Sequence, residues 1–309
     1  GGSEVIPSTY LLPPRESYPP LETLLAELGI APRPPSVPLE IEVQASWGGF
    51  DEETPFDDPR AVAVGRDSTV FVLDTALLQI GLFDSQGRLL DAWSDPKWVE
   101  PADIAIDGSG NLYLVDAGLE GVLVYDRDGN RRATWGADSG LFRPRGIGLG
   151  ADELLVADTG GARLVRISLE GASLGEISIP AGLEGEAAQP TDAAVDGAGR
   201  IYVPDPENQR LHLLETTGRL IRSWPIPRSD TVRAAHLTVG PDGAVYLTDP
   251  GGGRVLRFDA EGRLLSEMSL PRSEDEELPR PVGVAVSADG TVYVADPGTR
   301  TVWVLEPTS

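Results

Sequence analysis

ADGTVYVADPGTRTVWVLE, residues 288 to 306, is the stretch from which the fold can be read. Asp289-Gly290 is a tight-turn pair, and the run Thr291 to Ala295 behind it is β-branched and aromatic, a composition that suits a pleated, half-buried surface. Asp296-Pro297-Gly298 breaks that strand with a second turn, and Thr301 to Leu305 forms the next one. Upstream, Pro281-Val282-Gly283 opens a further apolar run, Val284 to Val286. Three antiparallel strands are therefore expected, called a, b and c in chain order.

The same grammar recurs along the chain, marked by the Asp that ends strand b: Asp74, Asp116, Asp158, Asp205, Asp249 and Asp296, at spacings of 42, 42, 47, 44 and 47 residues. Five of them are preceded, 14 or 15 residues earlier, by a proline, Pro59, Pro101, Pro144, Pro190 or Pro281, with Ala234 in that slot in the fifth copy. A fourth strand, d, follows a turn containing Gly87, Gly129, Gly171, Gly218 or Gly262, and runs Leu89 to Trp93, Arg131 to Trp135, Ser173 to Ile177, Leu220 to Trp224 and Leu264 to Met268. The sixth copy lacks strand d, but LEIEVQASW at Leu39 to Trp47 has its character and precedes the first copy. Four-stranded units of this period predict an all-β, six-bladed β-propeller of antiparallel blades. The N-terminal strand is expected to complete the last blade and close the ring, removing an exposed sheet edge.

PVGVAVSADGTVYVADPGTR at 281 to 300 and PTDAAVDGAGRIYVPDPENQR at 190 to 210 resemble the NHL-repeat family of β-propellers, and the likeness extends to all six copies. Asn208-Gln209-Arg210 is the nearest match to the family's N-x-R turn. The resemblance implies a six-bladed ring. It implies no single activity, because that family includes scaffold, protein-binding, RNA-binding and amidating-lyase members. The lyases bind metal through histidines near the central channel, whereas this chain has two histidines, His212 and His236.

Composition narrows the classes. The chain has 309 residues, 40% of them hydrophobic, enough for a sizeable core. With no Cys, disulfides, thiolate metal sites and thiol nucleophiles are excluded. A net charge of −24 argues against a nucleic-acid partner and against an anionic membrane surface. No stretch approaches the ~20 apolar residues of a membrane helix, so direct insertion is not expected. The chain opens Gly-Gly-Ser, which reads as processed, trimmed or tagged, and compartment stays open with an extracytoplasmic one favoured.

Residues 1 to 38 form a Pro-rich arm without the repeat, ahead of the propeller at 39 to 309. Within the arm, PLETLLAEL at Pro20 to Leu28 places Leu21, Leu24, Leu25 and Leu28 at helical spacing, with Gly29 just beyond. That stripe must bury against its own ring, a neighbouring subunit or another domain.

The six Asp after strand b are expected to cap backbone N–H groups of the b-to-c turn. Departures from the repeat are more telling. Two residues after the Pro slot, at the start of innermost strand a, the copies carry Ala61, Asp103, Gly146, Asp192, His236 and Gly283. Asp103, Asp192 and His236 should point to the channel mouth, either as solvated polar groups or as a site for Ca²⁺ or another cation, or for acid/base chemistry. Arg60, Arg143, Arg145, Arg233 and Arg280 flank the Pro slot and would either bind an anion or pair with Asp57, Asp58, Glu100 and the run Glu274 to Glu277. His212, inside strand c, reads as packed and structural. Trp47, Trp93, Trp135 and Trp224 read as blade-edge packing.

Two functions are consistent with these features. One is a non-catalytic interaction or scaffold module, binding a protein partner or another copy through the variable d-to-a connections or the arm; no cofactor is then required. The other is a metal-assisted hydrolase or lyase at the channel mouth, resembling six-bladed propeller lactonases. The rim of a-to-b and c-to-d turns is expected to be inert.

Overall fold

The computed structural model describes residues 41–136, 140–182, 185–228, 235–273 and 276–307. The arm with its leucine stripe, and Arg233, lie outside these residues.

Six four-stranded antiparallel sheets form the blades of a propeller. Blade two shows the pattern: strand a is Pro101–Ile106, b is Leu112–Asp116, c is Gly121–Tyr125 and d is Arg131–Trp135. Strand b is buried along its whole length, as in VFVLD at Val70–Asp74, because both of its faces meet a neighbouring blade. It therefore reads as a continuous apolar run rather than an alternating one. Alternation instead decides which neighbour is met: Val70 and Val72 pack toward blade six, Phe71 and Leu73 toward blade two. Six such clusters, one between each pair of adjacent blades, make up the core.

The ring closes as the sequence indicates. Strand Ile41–Trp47 pairs antiparallel with strand c of the last copy, Thr301–Pro307, placing Ile41 opposite Pro307 and Trp47 opposite Val302. Trp47 then crosses into blade one and stacks on Phe83 at a centroid separation of 5.5 Å.

This crossing recurs. In five of the six blades the last apolar residue of strand d lies over the glycine of the next blade's c-to-d turn: Trp47 over Gly87, Trp93 over Gly129, Trp135 over Gly171, Ile177 over Gly218 and Trp224 over Gly262. All five glycines have φ between 74° and 90°. A side chain there would be strained by the backbone and would strike the overlying residue. The tryptophans thus pack blade to blade, as their position in strand d implies.

Four of the b-terminal aspartates, Asp74, Asp116, Asp158 and Asp296, hold backbone of the incoming d-to-a connection. Asp116 is fully buried and accepts N–H groups from Gly118 and Leu119 of its own b-to-c turn, and also from Val99 and Glu100 of the incoming d-to-a connection. Asp74 grips Asp57, Asp58, Ala76 and Leu77 in the same way, and Asp296 grips Arg280 and Gly298. One carboxylate therefore fixes two segments far apart in sequence, and this builds the rim.

The connections entering that rim differ in sequence, yet several sink an apolar anchor into the core: Phe50 and Phe56, Trp98, Leu141, Ile226 and Leu270 are all buried. Full burial of such a side chain contributes about 1.5–3 kcal/mol. Among the described residues no helix is long and apolar enough to cross a membrane.

Candidate functional site

Strand a lines the channel, and its entry is where blades differ most. The strand is six residues long in blades one to three, but only Ala194–Val195 in blade four and Leu237–Val239 in blade five. The Asp192 and His236 backbones precede the paired segment. Opposite them, blades one, three and six carry Ala61, Gly146 and Gly283, and the glycines are small for a reason. A Cβ on Gly146 would lie 2.4 Å from the Thr191 carbonyl oxygen, and one on Gly283 2.6 Å from that of Arg60.

Asp103, Asp192 and His236 converge. His236 Nδ1 lies 3.5 Å from Asp103 Oδ2 and 3.5 Å from Asp192 Oδ2, and all three residues are only 3–6% exposed. They line one end of a cavity of about 210 Å³ whose walls are apolar residues of strand a from all six blades. The expectation of solvated polar groups is thereby corrected: inward-facing strand starts crowd together at the axis of a six-bladed ring, leaving these side chains little water.

Both carboxylates are anchored from two blades. Asp103 accepts the Ile104 N–H through Oδ1 at 2.8 Å and, across the blade boundary, the Ile147 N–H through Oδ2 at 2.9 Å. Asp192 repeats this one blade pair further round, with Ala193 at 2.7 Å and Leu237 at 2.9 Å. His236 is positioned from its backbone, whose N–H donates to Thr248 Oγ1 at 2.9 Å, while the Thr248 hydroxyl donates to the Val282 carbonyl of blade six at 2.8 Å. Thr248 escaped the sequence reading, although a signal existed. It fills the slot before the b-terminal Asp where the other copies have Leu73, Val115, Ala157, Pro204 and Ala295.

The charges follow from this geometry. Burial alone would lower the pKa of His236, but the flanking Asp103 and Asp192 carboxylates outweigh it and raise it to about 10, so the ring is an imidazolium at neutral pH. Burial, reinforced by the charge of Asp103, pushes Asp192 up to about 6, against the opposing pull of His236 and the Leu237 N–H. The cluster is a cation held between two carboxyl groups, and its protons are shared by the group rather than owned by one residue. Its ligand-type atoms lie within 4.8 Å of one another, so a metal ion could be shared, at the cost of displacing the imidazolium proton.

The remaining sequence candidates lie elsewhere. The Arg145 guanidinium pairs with Glu100 at 3.0 Å and that of Arg60 with Asp58 at 2.8 Å, the pairing outcome of the two considered. Neither arginine lines the cavity. His212 is buried and shares a 2.8 Å hydrogen bond with Ser223, and burial lowers its pKa, as befits a packed neutral ring.

A six-bladed β-propeller with a polar knot at one channel mouth is what the chain defines. No family model matches it. Among solved structures, a streptogramin B lyase is similar at 16% identity with a TM-score of 0.63, covering 87% of this chain and 98% of the lyase. Virginiamycin B lyase from Staphylococcus aureus is similar at 13% identity and 0.62, covering 86% of this chain and 99% of its own. A catalytically inactive His-to-Ala form of that enzyme, with quinupristin, gives 15% and 0.63 over 86% and 99%. At such identities the likeness is one of fold.

Proposed function

We propose that this chain is a non-catalytic interaction propeller that binds a protein partner through the rim of b-to-c turns and d-to-a connections. The observation that carries the reading is what the Asp116 clamp leaves outside. It brings Val99 and Leu119 to one carboxylate, and their side chains stay 61% and 39% exposed. Beside them the core is already served: Trp98 is buried next to Val99, and Leu141 is buried next to Phe142, which is 54% exposed. Leu77, Leu78 and Leu278 are exposed on the same rim; the other exposed large apolar side chains among the described residues, Val43, Leu90, Leu174, Leu220 and Ile221, lie on the outer d strands, and none lies on the a-to-b or c-to-d turns. Six apolar groups that folding does not use thus share the rim of b-to-c turns and d-to-a connections, and such a grouping marks a contact surface. The arm at 1–38 is assigned as a second, separable docking element.

Co-purification from the source cell should recover a protein that Val99→Ser/Leu119→Ser/Phe142→Ser loses and Asp103→Asn retains. Recovery unchanged by the triple substitution would remove the rim from the reading. Deleting residues 1–38 is expected to leave a folded ring, read by circular dichroism.

A second reading is favoured by one observation, the imidazole held between two carboxyl groups at the end of a cavity, joined to a fold shared with lyases, one of which is inactivated by loss of a histidine. On this reading the cluster binds Ca²⁺ or another divalent cation and performs hydrolase or lyase chemistry. Calorimetric titration with Ca²⁺ and Zn²⁺ tests it, and absence of binding would sink it.

A further inference from the structure

The rim over blades one and two has a chemistry of its own beyond being apolar. Each Asp clamp sets a b-to-c turn beside a d-to-a connection, so the neighbours of the exposed apolar residues are known. Leu77 N–H shares the Asp74 carboxylate with the amides of Asp57 and Asp58. Leu119 and Val99 share that of Asp116 with the amide of Glu100, and Glu120 follows directly with a left-handed φ of 51°. Upstream of Asp57 the same connection carries Asp51, Glu52 and Glu53, all exposed. Three of these carboxylates already have cations near them, Glu100 with Arg145 at 3.0 Å, Asp58 with Arg60 at 2.8 Å and Asp57 with Arg300 at 4.0 Å, and Lys97 is exposed on the second connection. The balance of the arc is nonetheless acidic, and the acidic groups interleave with the apolar ones instead of lying apart from them.

From this interleaving we infer that the rim of blades one and two receives a protein segment that is both apolar and basic, such as an amphipathic helix with Leu-type anchors flanked by Lys or Arg. This rests on the proposed rim function and specifies its partner. A second copy of the chain fits poorly, because a self-complementary contact would set acidic arcs of a −24 protein against each other. An anionic lipid surface is disfavoured by the same repulsion. A basic segment gains from both features: apolar side chains cover Leu77, Val99 and Leu119, while cations approach Glu100, Glu120 and Asp57 at the border, where charge governs on-rate and partner choice.

The test uses the full chain and three synthetic peptides of about four helical turns: one with Leu at helical spacing and Lys elsewhere, one with Glu replacing every Lys, and one with Ser replacing every Leu. Binding is read by fluorescence anisotropy at physiological and at high salt. The Leu/Lys peptide is expected to bind best, with Val99→Ser/Leu119→Ser weakening it about tenfold or more, as loss of central anchors does. Glu100→Gln/Glu120→Gln should weaken it less and flatten its salt dependence, and Glu170→Gln/Glu261→Gln on the opposite rim should leave it unchanged. Equal weakening by the Glu170/Glu261 pair would mean unspecific attraction to an acidic protein and would overturn the inference. Rim-dependent binding of the Leu/Glu peptide would overturn the basic chemistry while leaving the rim function intact. Binding of none of the three peptides overturns the chemistry as well, and the co-purification result then decides the rim function separately. A dimer in sedimentation that Val99→Ser/Leu119→Ser dissolves would identify the occupant as a second copy and overturn it too.

Discussion

The two rims of the ring use the same residue for different ends. On the rim of a-to-b and c-to-d turns, Asp84, Asp107, Asp126, Asp196 and Asp259 each accept N–H groups two and four residues ahead, within their own turn. On the other rim, Asp74 and Asp116 reach into a segment 16 or 17 residues back. A turn that satisfies itself needs a fixed local sequence, which explains why DGSGN and DAEGR look alike. A carboxylate that grips backbone from elsewhere leaves the gripped side chains free to vary. The rim that is fixed from a distance is therefore the rim on which new surface chemistry can be written.

The largest expected effect breaks the comparison directly. Asp116→Ala leaves four backbone donors without their acceptor and should cost on the order of 3–5 kcal/mol in chemical denaturation. Asp126→Ala, on a self-contained turn, should cost far less; equal losses would erase the distinction. The channel mouth, where carboxylates also bridge segments, supplies the next effect. The folded pKa of His236 is raised from 6.5 to about 10, so its contribution is fully present below pH 6.5 and lost as pH rises toward 10. Asp192, raised from 3.8 to about 6, is progressively disfavoured in its ionised form over that lower range, so both groups make stability fall as pH rises. The melting temperature of the wild type should decline between pH 7 and 10 more steeply than that of His236→Gln, and parallel profiles would refute the shift. The smallest effect tests where the second rim ceases to be self-contained, at its contact with the tryptophans. Gly129→Ala, at φ 74° with its new Cβ 2.8 Å from Trp93, should cost roughly 1–3 kcal/mol. Gly290→Ala, at φ 94° with no atom within 4 Å of its Cβ, should cost less, because only backbone strain remains.

Much of this architecture was legible because a repeat declares itself by register. The strands, their order and the closure by the segment ending at Trp47 follow from where Asp, Pro and Gly recur. The candidate site was legible for the complementary reason, since Asp103, Asp192 and His236 break the pattern at one slot. What the sequence withheld was distance across blades. That Asp103 reaches the Ile147 amide, or that Trp93 covers Gly129, depends on the twist and spacing of neighbouring sheets, which no local pattern encodes. The burial of the cluster was hidden likewise, because burial at the axis is a property of the closed ring. Thr248 also breaks the pattern at its slot, but what it does there rests on a hydroxyl that reaches the Val282 carbonyl of the neighbouring blade.

The closing strand has a mechanical corollary. Because Ile41 stands opposite Pro307, the two ends of the ring's chain lie side by side at the same end of one antiparallel ladder. A load applied between those residues would open that ladder as a zipper, one rung after another, instead of shearing all its rungs together. The seam that makes the ring continuous is thus also where such a load acts first, and unravelling would begin by freeing Ile41–Trp47 and lifting Trp47 off blade one.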